Sequence, residues 1–188
     1  AAAVYTTNLV KGAPIAVTKK NLSNGIAQAV ICNSGNANTC NANGIEIAEA
    51  MSDLVAKALH MDASDVIVAS TGVIGQPLSI EPIASAMADL AEGLSMSGGQ
   101  AAAEAIMTTD TVMKEVAVEF LLDGKTCHIG GIAKGSGMIH PNMATMLVFL
   151  TTDCAISPAM LQKALSGDIA NTFNMISVDG DTSTNDMV

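Results

Sequence analysis

Residues 47–59 read Ile47-Ala-Glu-Ala-Met-Ser-Asp-Leu-Val-Ala-Lys-Ala-Leu59, and a little further on stands Val66-Ile-Val-Ala69. In the first stretch Ile47, Met51, Leu54, Val55, Ala58 and Leu59 recur at spacings of three and four, the signature of an amphipathic helix. The second is a continuous apolar run of strand length and reads as a buried strand. A helix feeding a buried strand makes the class mixed α/β.

Working outward from this pair, Ile15 to Thr18 and Gln28 to Cys32 read as short strands split by a Ser-Asn-Gly turn at 23–25. An Asn/Gly-rich stretch, Asn33 to Gly44, then enters the helix. After the buried strand come a loop, Ser70 to Gln76, and a helix over about 80–94 with Pro82 in its first turn, where proline is tolerated. Ser97-Gly-Gly ends that helix, and a short Ala-rich one runs to Met107. Val112 to Leu122 and Thr126 to Ala133 form a predicted hairpin about Asp123-Gly124, a strong turn signal. A Gly-rich loop, Lys134 to Asn142, leads to a strand over Met143 to Leu150. Ser157-Pro158 caps a helix over Ala159 to Leu165, and a polar tail from Val178 ends in the first residues of a further strand.

Composition removes several function classes. At 188 residues the chain fits one domain, or one domain and part of another. It is 49% hydrophobic, too apolar for a disordered segment. Eighteen acidic against eight basic residues, net −10, and only four aromatics (Tyr5, Phe120, Phe149 and Phe173) speak against a nucleic-acid binder that tracks phosphates or stacks bases. No apolar run is long enough to span a membrane as a helix. Twelve Met, with Ala and β-branched residues, are left to fill the core. Cys32, Cys40, Cys127 and Cys154 form no C-x-x-C pair and are expected to be buried, reduced thiols. His60, His128 and His140 are too scattered for a zinc site, so no metal is expected. The chain opens at Ala1 with no Met and no signal-like segment, which fits a processed chain or a piece of a longer one.

Three short motifs fail on inspection. Gly124-Lys-Thr126 lacks the P-loop glycine five residues earlier, where Glu119 stands, and it sits at a hairpin turn. The tail Asp179-Gly-Asp181 has Thr184 where an EF-hand loop needs glycine. Gly135-Ser-Gly137 does not complete a G-x-S-x-G elbow. What remains is a group of small, hydroxyl-rich loops: Asn33 to Gly44, Ser70 to Gly75, Thr108-Thr-Asp110 and Lys134 to Thr145. Each alone can be a mere turn. Together they offer backbone N–H groups, hydroxyls and one lysine, suited to a small anionic or carbonyl-bearing ligand. Within the last loop, Thr145 follows the small Ala144 and precedes an apolar strand. Its hydroxyl is placed either to attack the Ala144 carbonyl and cut the chain, or simply to pack in a strand. A cut would free the Thr145 α-amine, which can act as base for its own hydroxyl.

Seven stretches stand out together: Val4-Tyr-Thr-Thr-Asn8, Asn33-Ser-Gly-Asn-Ala-Asn38, Ser70-Thr-Gly-Val-Ile-Gly75, Ile106-Met-Thr-Thr-Asp110, Lys134-Gly-Ser-Gly-Met138, Pro141-Asn-Met-Ala-Thr-Met-Leu147 and Val178-Asp-Gly-Asp-Thr-Ser-Thr-Asn-Asp186, in that order. Through them the chain resembles, along nearly its whole length, the ornithine acetyltransferases of arginine biosynthesis, also called bifunctional glutamate N-acetyltransferases. The resemblance implies an α/β/β/α sandwich and a precursor cut between Ala144 and Thr145. Residues 1–144 would then be the α-chain part and 145–188 the start of the β-chain part of the same domain, with family members longer at both ends.

The same resemblance implies a cytoplasmic enzyme, an α2β2 heterotetramer, that moves an acetyl group from N2-acetylornithine to glutamate in a ping-pong cycle. Thr145 is the implied nucleophile, Thr71 and Gly72 the oxyanion hole, and Thr108 or Thr109 together with Lys134 the substrate contacts. No cofactor is expected, and acetyl-CoA stands as a possible second donor. Two other readings accompany this one: an aminopeptidase of the same self-cleaving superfamily, and a domain that binds amino acids without turnover.

Overall fold

A computed structural model of the chain describes residues 1–140 and 146–188. Its centre is a pair of parallel strands, β1 (Ala29–Asn36) and β2 (Val66–Val73). β2 is buried from Val66 through Thr71, and for this reason its sequence is a continuous apolar run without alternation. On one face, Ile31, Val66 and Val68 pack against helices α1 (Ala13–Asn21), α2 (Gly44–Leu59) and α3 (Glu81–Glu92), which contribute Val17, then Ala48, Met51 and Val55, then Met87. On the other, Ile67 and Ala69 meet Leu147 and Met187, with Cys32 and Phe149 partly buried beside them.

Leu147 and Phe149 belong to the second sheet, antiparallel in the order β3 (Lys114–Leu122), β4 (Lys125–Lys134) and β5 (Leu147–Thr152). The opposite face of β5 buries Val148 against Ile169, Leu165 and Phe173, from α5 (Pro158–Asp168) and the turns after it. The layers therefore run helix, sheet, sheet, helix, as expected of an α/β/β/α sandwich. A further short helix, α4 (Gly99–Ala105), lies ahead of β3 and buries Ala103. The tail joins the second sheet: Met187 bridges both Tyr5 and Leu147, and Val4 and Val188 exchange both backbone hydrogen bonds.

Several expectations need correction. Ile15 to Thr18 is not a strand but the middle of α1. The buried residues there are Pro14, Ile15, Val17, Thr18 and Asn21, a spacing of three and four that winds one apolar face around a helix. The β-branched residues suggested a strand, and packing against β2 overrode that propensity. Both β1 and β2 also run on into segments expected to be loops, through the pairs Asn33↔Ser70, Ser34↔Thr71 and Gly35↔Gly72. Glycine, serine and asparagine are poor strand formers, so this polar end of the ladder has no propensity signal. β5 is described from Leu147 and runs to Thr152; residues 143–145 of the expected strand lie outside the described residues. α5 extends to Asp168, past the expected end at Leu165, with Ser157 accepting the Met160 N–H as its cap. All four cysteines are free, but Cys40 is exposed and the other three only partly covered. Among the described residues no helix is long and apolar enough to cross a membrane.

Candidate active site

Where β1 and β2 end at their carboxyl side, a cavity of about 700 Å³ opens, the position at which α/β sheets usually hold ligands. Its wall includes Ser34 and Gly35 from β1, Thr71 and Gly72 from β2, Thr108 and Thr109 after α4, Lys134 at the end of β4, and Ser183 to Asn185 from the tail. The five residues expected to form the oxyanion hole and substrate contacts are thus gathered in one place. Ala144 and Thr145 lie outside the described residues.

Gly72 is required by its surroundings. Its φ is +128°, and a Cβ there would run into the Gly35 carbonyl and the Asn36 nitrogen. The two glycines face each other in register, so the strand ends approach with no side chain between them. Ser34 fixes the end of β1 by donating its hydroxyl to the Met107 carbonyl at 2.9 Å.

Lys134 is 3% exposed and donates to Thr71 Oγ1 at 3.0 Å. No carboxylate lies within ion-pair distance of it among the described residues, and burial holds its pKa below the usual lysine value against the pull of Asp110, Cys32 and Asp186. An ammonium has three donors, so a cavity ligand can receive the remaining ones. Thr71, by accepting from Lys134, keeps its own hydroxyl proton to donate elsewhere. Burial beside this lysine also pushes the Cys32 thiol up to about 12, which makes it an inert thiol at neutral pH.

Asp110 ties the loops together. Its side chain is buried, and its Oδ1 accepts from the Gly135 N–H at 2.7 Å and from Lys114 Nζ at 2.6 Å. Burial raises its pKa, but the hydrogen bonds from Lys114, Gly135 and Thr108 outweigh that and hold it below the ordinary value. Thr109 Oγ1 lies 2.7 Å from Ser136 Oγ, joining the same two loops.

The tail supplies two adjacent residues of opposite character. Asn185 is saturated: Nδ2 donates to the carbonyls of Ala37 (2.6 Å) and Ser70 (2.9 Å), while Oδ1 accepts from Thr39 and Thr184. Asp186 is 1% exposed; its Oδ1 accepts the Met146 N–H at 2.9 Å, and its Oδ2 has no partner among the described residues. Asp110, Asn185 and Asp186 were not singled out from the sequence. All three stand inside stretches that carried the family resemblance, and that was the available signal. Among the described residues no group of three His, Cys, Asp or Glu is placed to hold a metal ion.

A sequence model of the ArgJ family matches residues 1–188. The chain is 52% identical over 185 residues to the arginine biosynthesis bifunctional protein ArgJ of Caldanaerobacter subterraneus subsp. tengcongensis, covering 98% of this chain and 46% of that protein. Against the protein of the same name from Symbiobacterium thermophilum, identity is 53% over 189 residues, with 100% and 47% covered. The chain spans about half the length of the curated relatives it matches. Among solved structures it is similar to the arginine biosynthesis bifunctional protein ArgJ of Bacillus halodurans, with TM-score 0.69 and 43% identity over 77% of this chain and 76% of that one. It is also similar to the ornithine acetyltransferase of Mycobacterium tuberculosis complexed with ornithine, with TM-score 0.64 and 33% identity over 78% and 77% of the two chains.

Proposed function

This chain belongs to the ArgJ family, and from that premise we propose that it carries the nucleophile and oxyanion hole of an acetyltransferase that passes an acetyl group from N2-acetylornithine to glutamate. The observation that carries this reading is Lys134. A buried ammonium bonded to Thr71 and lacking a carboxylate partner among the described residues is stabilised by a ligand that brings its own carboxylate. It stands in the same wall as Thr71 and Gly72, so the carboxylate and the reacting carbonyl of one small substrate would be held together. That the M. tuberculosis relative was solved with ornithine favours an amino-acid substrate.

In this proposal the Thr145 hydroxyl first attacks the Ala144 carbonyl, the amide C–N bond breaks, and water hydrolyses the resulting ester. Residues 1–144 and 145–188 then belong to separate α and β chains that stay packed together. The freed Thr145 α-amine takes the hydroxyl proton as Oγ attacks the acetyl carbonyl of N2-acetylornithine. The Thr71 hydroxyl and the Gly72 N–H donate to the tetrahedral oxyanion. The amine returns its proton to the departing ornithine nitrogen, leaving an acetyl ester on Thr145. Glutamate's amine attacks that ester and leaves as N-acetylglutamate. Acetyl-CoA is a second donor that the same acetyl-threonine route would accept, and a cytoplasmic α2β2 assembly is the proposed setting.

The test is the intact mass of the full gene product, followed by acetyl transfer. Two fragments splitting between Ala144 and Thr145, one whole chain for Thr145→Ala, and an acetyl mass on the second fragment after incubation with N2-acetylornithine are expected. A wild type that stays whole and exchanges no acetyl group overturns the reading. Release of N-terminal residues from peptides, without acetyl exchange, would point to an aminopeptidase instead.

A further inference from the structure

Asp186 is a buried carboxyl that the mechanism above does not use, and its placement relative to strand β5 gives it a role. Its Oδ1 holds the Met146 N–H at 2.9 Å. The Met146 carbonyl in turn accepts from the Met187 N–H at 3.2 Å, and the Asp186 carbonyl accepts from Thr6 N–H at 3.0 Å. Both backbone groups of Met146 are therefore tied to the tail, and the tail is tied to the N-terminal segment. Met146 precedes Leu147, the first residue of β5, and follows Thr145 in the chain. The N–H that Asp186 holds belongs to the peptide unit joining Thr145 to Met146.

We propose that Asp186 is a positioning residue for the threonine nucleophile: by holding the Met146 N–H it fixes the peptide unit through which Thr145 is attached to β5. This rests on the reading of Thr145 as nucleophile. Once the bond before Thr145 is cut, the nucleophile is attached to the protein through its C-terminal side alone. The Asp186 hydrogen bond anchors the first described residue on that side, Met146, and reactive geometry depends on anchors of this kind.

Burial pushes the Asp186 carboxyl up to about 8, against the Met146 N–H, the nearby Ser183 hydroxyl and the Lys134 charge. At pH 7 it is therefore largely the neutral acid, which asparagine matches in shape while keeping the acceptor oxygen. Alanine removes that oxygen.

The experiment compares wild type, Asp186→Ala and Asp186→Asn in the full gene product, reading three quantities: amide hydrogen exchange at Met146, the rate of self-cleavage, and kcat and KM for acetyl transfer. In Asp186→Ala we expect lost protection at Met146, slower cleavage, and kcat lowered by about tenfold or more with KM within about twofold, since only the approach of the nucleophile is impaired. Asp186→Asn should keep protection, cleavage and kcat within about threefold of wild type. If Asp186→Ala does not fold, Asp186→Ser, too short to reach Met146, takes its place in the same comparison. Protection lost with kcat and cleavage unchanged overturns the proposal, as does an Asp186→Asn variant as impaired as Asp186→Ala. Failure of the Thr145 reading looks different, because wild type itself then stays uncut and takes up no acetyl group whatever happens at Met146.

Discussion

Two buried polar regions of this molecule lie close together and are built on opposite terms. Along the contact of α1 with β2, Thr18 and Asn21 both find partners. Thr18 donates to the Val68 carbonyl at 2.7 Å and accepts the Val68 N–H at 2.9 Å; Asn21 donates to the carbonyls of Ala63 and Val66. Asn185 carries this pattern into the cavity wall, stitching the tail to the β1–α2 loop and to β2. The rest of the cavity wall is left short at Lys134, which has one hydrogen bond and no carboxylate among the described residues. Behind that wall, Ser70 Oγ and Asp186 Oδ2 are buried without a partner there. Saturated networks fix a fold, whereas unsatisfied buried groups are retained where a ligand or a reaction completes them. The contrast sets Lys134 apart as the wall's under-satisfied buried group. It also predicts that substitutions in the first region move stability and those in the second move turnover or affinity.

The largest effect belongs to Asn185→Ala. Four hydrogen bonds disappear and buried carbonyls and hydroxyls are stranded, so unfolding free energy should fall by about 3–5 kcal/mol in urea titration. A loss under 1 kcal/mol would break the comparison on its saturated side. Next comes Thr71→Val, on the other side. If Thr71 donates to the oxyanion as proposed, its loss should lower kcat by about a hundredfold, while Thr71→Ser, which keeps the hydroxyl, should retain most of it. A kcat unchanged in the valine variant would remove Thr71 from the oxyanion hole. Smaller again is Lys134→Met. Because the ammonium is buried without a carboxylate, replacing it should leave stability unchanged or raise it by about 1–2 kcal/mol. The KM for N2-acetylornithine should nevertheless rise by about tenfold or more, measured by steady-state acetyl transfer. A destabilised variant with unchanged KM would move Lys134 into the structural region.

The sequence revealed these two regions unevenly. The helix over Gly44–Leu59 and the strand opening at Val66 were legible because each buries a continuous apolar set, with Ala48, Met51 and Val55 on one and Val66 to Ala69 on the other. The β3–β4 hairpin was legible through Asp123 and Gly124, both of which adopt positive φ as a tight turn requires. Thr71, Gly72, Thr108, Thr109 and Lys134 were all named in advance and share one cavity. Asp110, Asn185 and Asp186 were not, because whether a polar residue is buried, and whether its atoms are then satisfied, is decided by contacts far away in the chain. Asn185 meets Ala37 and Ser70 across more than a hundred residues, and no local pattern encodes that.

The last effect is a pH dependence, and its sign separates the two regions once more. Asp186 titrates near 8 in the folded chain, far above the ordinary aspartate value of about 3.9. The native state therefore holds a proton that the unfolded chain has released over this interval. Stability from the neutral carboxyl is fully present below about pH 4 and is lost progressively as pH rises through about 8. Asp110, held low by Lys114 and Gly135, acts in the opposite sense, but its contribution is lost only as pH falls through its depressed value and so lies outside this window. Wild-type Tm should accordingly decline between about pH 4 and 8 relative to Asp186→Asn, whose amide does not titrate. Running the series in a Lys134→Met background removes a charge that favours the ionised carboxylate; the folded-state pKa then rises, and the decline should continue to higher pH before it levels off. Parallel Tm curves for wild type and Asp186→Asn would mean that Asp186 is already ionised and paired, and would move it to the saturated side of the comparison.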